Sequence, residues 1–169
     1  MASSRSVRVE RNRLRFAAAH MATFEGTCEP LHGHNYDLFV EVEGDLTDES
    51  WVIDFSLLKG LAREVAEQLD HRFLLQRESR LLHSELHDGA WQIRFGEDRR
   101  YEFPAQDVLA LPIDNSTAER LAEWIHGRLV EGLQRRAATN IRRLSVGVEE
   151  MPGQAGWYEA PVDTRSGPP

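Results

Sequence analysis

The sequence predicts an α+β domain in which an antiparallel sheet carries two helices on one face. Three observations lead there. Segments 7–20, 34–44 and 141–150 have the composition and patterning of strands. Two further segments repeat apolar residues at helical spacing. The coarse order is ββα, hairpin, αβ, which separates strands from helices instead of alternating them.

The first two strands enclose a loop. In 36–44, Tyr36, Leu38, Val40 and Val42 share one parity while Asp37, Glu41 and Glu43 take the other, the pattern of a half-buried strand. Residues 21–33 contain Gly26, Pro30 and Gly33 and read as the connection of an antiparallel pair. Residues 55–69 follow as a helix with Leu58, Leu61, Ala62, Val65 and Leu69 in one stripe, and Asp54 or Ser56 as its N-cap. Residues 76–111 form an insertion. Within it Trp91, Ile93 and Phe95 alternate, 96–99 turn, and Tyr101 and Phe103 alternate again, which predicts an extra β-hairpin. The second helix covers 117–134 with Ala118, Leu121, Ala122, Ile125 and Leu129 inward, and Ser116-x-x-Glu119 reads as a capping box. Leu144, Val146 and Val148 line the core face of the last long strand, with a short strand at 156–158 after it. One domain results, with an ordered core over 7–158 and tails at 1–6 and 159–169.

Composition narrows the function. The chain has 169 residues, of which 41% are hydrophobic and 28% charged, and a formal charge of −8. That charge argues against nucleic acid as a partner. The absence of a long apolar run argues against a membrane, and of a signal-like start for a cytoplasmic location. The one cysteine, Cys28, cannot form an intrachain disulfide, and three of the seven histidines fall between residues 20 and 34 beside it.

These residues suggest a metal site. His32 and His34, two apart in extended chain, point to the same side, and His20 ends the strand that a hairpin brings opposite them. Three neutral imidazoles suit Zn²⁺, and a position left open to water or substrate marks a catalytic site. Cys28 is either a fourth ligand or a base or nucleophile beside the metal. Its polar neighbours, Glu25 to Pro30, argue against an inert buried thiol. Asp70-His71 closes the first helix, where a histidine favourably meets the dipole. An acid–base pair is the functional alternative. Glu150 has the parity of the core face, and an inward carboxylate there needs a partner.

The segments FAAAH (16–20), CEPLHGHNY (28–36), VIDFSLLK (52–59), LDHRFL (69–74), STAERLAEWI (116–125) and VGVEE (146–150) together resemble the 6-pyruvoyl-tetrahydropterin synthase family, which includes the 6-carboxytetrahydropterin synthases of the queuosine pathway. The resemblance covers most of 14–158 outside about 76–111. It implies the tunnelling fold (T-fold) and a homo-hexamer of two trimers with active sites between subunits. It further implies zinc on His20, His32 and His34, a catalytic set of Cys28, Asp70 and His71 in which the thiol is a base, and pterin contacts from Glu150 and Thr117. The implied activity is a lyase on 7,8-dihydroneopterin triphosphate. The compact CxxxHGH spacing resembles the bacterial 6-carboxy form, with 6-pyruvoyl-tetrahydropterin as the alternative product and a non-catalytic pterin- or zinc-binding homologue as the alternative role. Two residues depart from the family pattern: Leu75, where Asn often stands, and Met151, where Thr does. Arg72, Arg94, Arg99 and Arg100 are candidate charges for a triphosphate.

Overall fold

In the computed structural model, which describes residues 4–162, the alternating segments form one six-stranded sheet. β1 (Arg5–His20) and β4 (His32–Gly44) are its long antiparallel centre. Between them β2 (Thr23–Phe24) and β3 (Thr27–Cys28) make a small hairpin in the loop. β10 (Ile141–Met151) and β11 (Gln154–Pro161) extend the sheet on the β4 side. On the β1 side lie β5 (Arg72–Gln76) and β9 (Val108–Leu111), both parallel to β1.

The sheet is therefore mixed, where the sequence suggested an antiparallel one. β5 and β9 escape detection because their residues lack alternation. Phe73 to Gln76 are all buried, as strands covered on both faces are. The ends are also longer than expected. β1 begins at Arg5, β11 runs to Pro161 and Val162 is buried, so 5–6 and 159–161 are strand, not tail. The rest of the expected tails, apart from residue 4 and Val162, lies outside the described residues.

α1 (Phe55–Leu69) and α2 (Ala118–Arg135) cover one face. Their predicted stripes are buried against Leu14, Phe16, Tyr36, Leu38, Val40, Leu144, Val146 and Val148. Asp54 caps α1, its Oδ1 accepting from the Leu57 N–H at 2.8 Å. The helices touch at Gly132, where a Cβ would come within 2.9 Å of the Leu61 side chain. The expected capping box at α2 does not form. Thr117 is the N-cap without a side-chain bond, and the Ser116 hydroxyl is buried without a partner. Ser116 instead turns its backbone carbonyl toward His20.

The insertion is a three-stranded sheet, β6 (Leu82–His87), β7 (Ala90–Phe95) and β8 (Arg99–Pro104). The predicted hairpin is its β7–β8 half. Its inner residues Ile93, Trp91, Phe95, Tyr101 and Phe103 close a second apolar cluster over Met21, Cys28, Phe73 and Leu75. Leu75, the departure from the family pattern, is fully buried there.

Candidate active site

The site begins with the register of β1 and β4. His20 stands directly opposite His32, and Ala18 opposite His34, so three imidazoles meet at one end of the core face. Gly33 permits this. A Cβ there would lie 2.8 Å from the Ala18 carbonyl oxygen, in rigid backbone. Two of the three outer nitrogens are tied down: His20 Nδ1 donates to the Ser116 carbonyl at 2.9 Å and His32 Nδ1 to the Pro30 carbonyl at 2.8 Å. With those protons placed, the two Nε2 atoms face each other 3.1 Å apart as two lone pairs. Neutral acceptors at that distance repel unless a cation lies between them.

The ligand atoms of His20, His32 and His34 all lie within 4.8 Å of one another, and no other described residue joins the group. An all-imidazole donor set suits a borderline cation such as Zn²⁺. Burial pushes His20 down to about 4, which keeps it neutral, as a ligand must be.

A cleft of about 360 Å³ opens beside these histidines, lined by His20, Glu29, Thr117, Glu119 and Glu150 among others. Glu150 is half-buried at a bulge in β10, and its acidity is weakened first by burial and further by Glu29 and Glu119. A carboxylate in that condition accepts N–H donors from a ligand readily. Glu149 instead accepts from the Gly153 N–H at 2.8 Å, closing the β10–β11 turn. The hydroxyl of Tyr36, whose ring meets those of His20 and His34 edge-on, is buried without a partner.

The remaining expected residues are not in this cleft. Asp70 caps the end of α1 and pairs with His71 Nδ1 at 2.9 Å. The Ala17 N–H, donating at 2.7 Å, holds the Asp70 carboxyl below the usual range, and His71 adds to this. His71 itself has φ 56°, a strained setting for a non-glycine residue, fixed by its N–H donating to the Ala17 carbonyl. His71 and Arg72 line a second depression of about 580 Å³ with His34, Phe103 and Asp107.

Cys28 lines neither hollow. It is 3% exposed, where its polar neighbours suggested otherwise, because the insertion folds its apolar face over the loop. Burial pushes its thiol up, with Arg99 opposing. Sequence reasoning passed over Glu29, whose carboxylate lies 3.8 Å from His32 Nε2 and faces the cleft. Its signal was an acid three residues before the first histidine of HGH. Of the candidate arginines, Arg99 is engaged with backbone carbonyls, and Arg94 and Arg100 line a groove on the insertion.

The family profile of 6-pyruvoyl tetrahydropterin synthase matches residues 9–161. The chain belongs to this family. Members are enzymes, and this one is a pterin synthase of the lyase class. A relative from Methanocaldococcus jannaschii, named a putative 6-carboxy-5,6,7,8-tetrahydropterin synthase, is 31% identical over 153 residues, 90% of this chain and 93% of its own. One from Pyrococcus horikoshii with the same name is 32% identical, covering 76% and 74%. The crystal structure of 6-pyruvoyl tetrahydropterin synthase from Plasmodium vivax superposes with a TM-score of 0.88 at 30% identity, over 95% of this chain and 100% of that one. A variant of that enzyme, with a catalytic glutamate replaced by alanine, gives 0.89 at 29% over the same shares. These likenesses establish the T-fold. Among the described residues, no helix is long and apolar enough to cross a membrane.

Proposed function

We propose that the chain is a zinc-dependent, cytoplasmic lyase that converts 7,8-dihydroneopterin triphosphate to 6-carboxytetrahydropterin. The observation that carries this is the convergence of three imidazoles, one of which, His20, lines the same cleft as the half-buried Glu150. The names of the curated relatives favour the 6-carboxy product, and the resemblance implies a place in queuosine synthesis. The solved neighbours, named 6-pyruvoyl synthases, favour the other product.

His20, His32 and His34 hold the zinc in this reading, which polarises the substrate's side-chain hydroxyls when bound. Glu150 accepts two N–H bonds from the pterin edge, and Thr117 lies along the ring at the start of α2. Proton removal falls to the Cys28–Glu29 loop. Glu29 presents its carboxylate to the cleft, and the catalytic glutamate of the Plasmodium vivax enzyme supports that role. The Cys28 thiol comes into play only where the insertion lifts from it.

Asp70 fixes the tautomer of His71 through Nδ1, which leaves Nε2 free to exchange a proton. Within one copy this pair does not line the cleft that holds Glu29 and Glu150, and in the implied assembly it serves a substrate held in that cleft of a second copy. Arg72 beside it supplies charge for the triphosphate. Edge strands β9 and β11 favour assembly, and the resemblance makes the assembly a homo-hexamer. Incubating zinc-loaded protein with 7,8-dihydroneopterin triphosphate and identifying products by mass spectrometry tests the reading. Acetaldehyde release with 6-carboxytetrahydropterin is expected. Accumulation of 6-pyruvoyl-tetrahydropterin would select the other product, and no turnover would refute the reading.

A further inference from the structure

The inserted sheet packs its apolar face on the loop that carries Cys28 and Glu29 and also hydrogen-bonds to it through Arg99. Arg99, half-buried at the start of β8, donates from Nη1 to the Cys28 carbonyl at 2.6 Å and to the Glu29 carbonyl at 3.0 Å. Its guanidinium carbon stands 5.6 Å from the centre of the Phe95 ring, directly across the β7–β8 hairpin. Phe95 in turn belongs to the apolar cluster that covers Cys28. The arginine is thus fixed at its own end by the insertion and tied to the loop at the other.

Successive carbonyls of an extended strand point in opposite directions. Two consecutive carbonyls that meet one donor therefore require the chain to bend at Cys28–Glu29, where the β2–β3 ladder stops. The next carbonyl, that of Pro30, accepts from His32 Nδ1. Three consecutive carbonyls are held, two by Arg99 from the insertion and one by His32 from the sheet. Glu29 lies between these anchors with its carboxylate toward His32. A guanidinium with charge-assisted bonds is well suited to such a hold.

We propose that Arg99 is a positioning residue, which locks the Cys28–Pro30 loop so that Glu29 faces the histidine cleft, and that the insertion exists in part to deliver it. This rests on the reading of that cleft as the active site. The sequence offered Arg99 as a phosphate ligand, but its bonds to the loop commit it elsewhere.

Cys28, as the sole cysteine, reports the lock directly through its rate of alkylation by iodoacetamide in the zinc-loaded protein. Arg99→Met keeps the apolar stem against Phe95 and removes every donor. Arg99→Lys keeps a cation within reach of the carbonyls, and Arg80→Ala changes an exposed arginine just before β6. Arg99→Met is expected to raise alkylation about tenfold and lower kcat about tenfold with KM moving less than about twofold. Arg99→Lys restores both to within about threefold of wild type, and Arg80→Ala changes neither. Should the methionine variant not fold, Arg99→Leu, which also has no donor, gives the same readout. Wild-type alkylation in the donor-free variant, or a lysine variant no better than methionine, would overturn the proposal. A wild-type protein without turnover would instead refute the functional reading, and the alkylation rates would still test Arg99.

Discussion

Replacing Gly33 with alanine tests whether the closeness of β1 and β4 creates the histidine cluster. The added Cβ would stand 2.8 Å from the Ala18 carbonyl oxygen and 3.4 Å from the Ala19 Cα. Both neighbours are backbone in the centre of the sheet, so neither can rotate away, and the strands must part by a few tenths of an ångström. Overpacking of this kind costs about 1–3 kcal/mol. For a chain of this size that lowers Tm by about 2–10 °C. The movement falls between His32 and His34 and opposite Ala19, next to His20, so zinc affinity is expected to fall as well. Gly127→Ala is the matched control, since that exposed helical glycine has nothing within 4 Å of its added Cβ. It is expected to stabilise by about 0.5–1 kcal/mol. Thermal unfolding with and without zinc, together with metal analysis, reads both variants. A Gly33→Ala protein with wild-type Tm and zinc content would refute the reasoning.

Asp54→Ala removes the cap of α1 and is expected to cost about 1 kcal/mol in chemical denaturation. The zinc-free protein is expected to lose stability as pH falls below the ordinary histidine range. His20 and His126 are both held below that range by burial, so the unfolded chain binds more protons there. For His20 the loss runs from about pH 6.5 down to about 4. His126→Leu is expected to flatten the slope of Tm against pH between 8 and 5, because it removes one of the two imidazoles that burial holds neutral in the folded chain. Glu29→Gln is expected to lower kcat by about a hundredfold and Cys28→Ala by less. An equal or larger loss in the cysteine variant would place proton removal on the thiol.

Much of this was legible because local periodicity and long-range packing agree. Leu38, Val40 and Val42 alternate because one face of β4 meets the helices, and Leu58 to Leu69 repeat because one stripe of α1 does. The histidines were legible for the same reason: the hairpin register that the alternation implies sets His20 opposite His32. What was not legible depends on the insertion. β5 and β9 lie under it and lose their alternation, and Cys28 is buried by a sheet more than fifty residues away in sequence. Arg99 gave no local signal at all, since its partners are carbonyls of that distant loop. Nor could Ser116 be read correctly, because its sequence fits a capping box while its backbone serves His20.

The most direct test of the account asks whether one active site draws on two copies of the chain. A His32→Ala, His34→Ala double variant removes the metal ligands, and a His71→Ala variant removes the proton-exchanging histidine of the second depression. Each is expected to be inactive alone. Subunit exchange between the two would build some sites with intact histidines from one copy and an intact His71 from another. The account predicts that turnover of 7,8-dihydroneopterin triphosphate reappears on mixing, and mixtures as inactive as their components, with exchange verified, would contradict it.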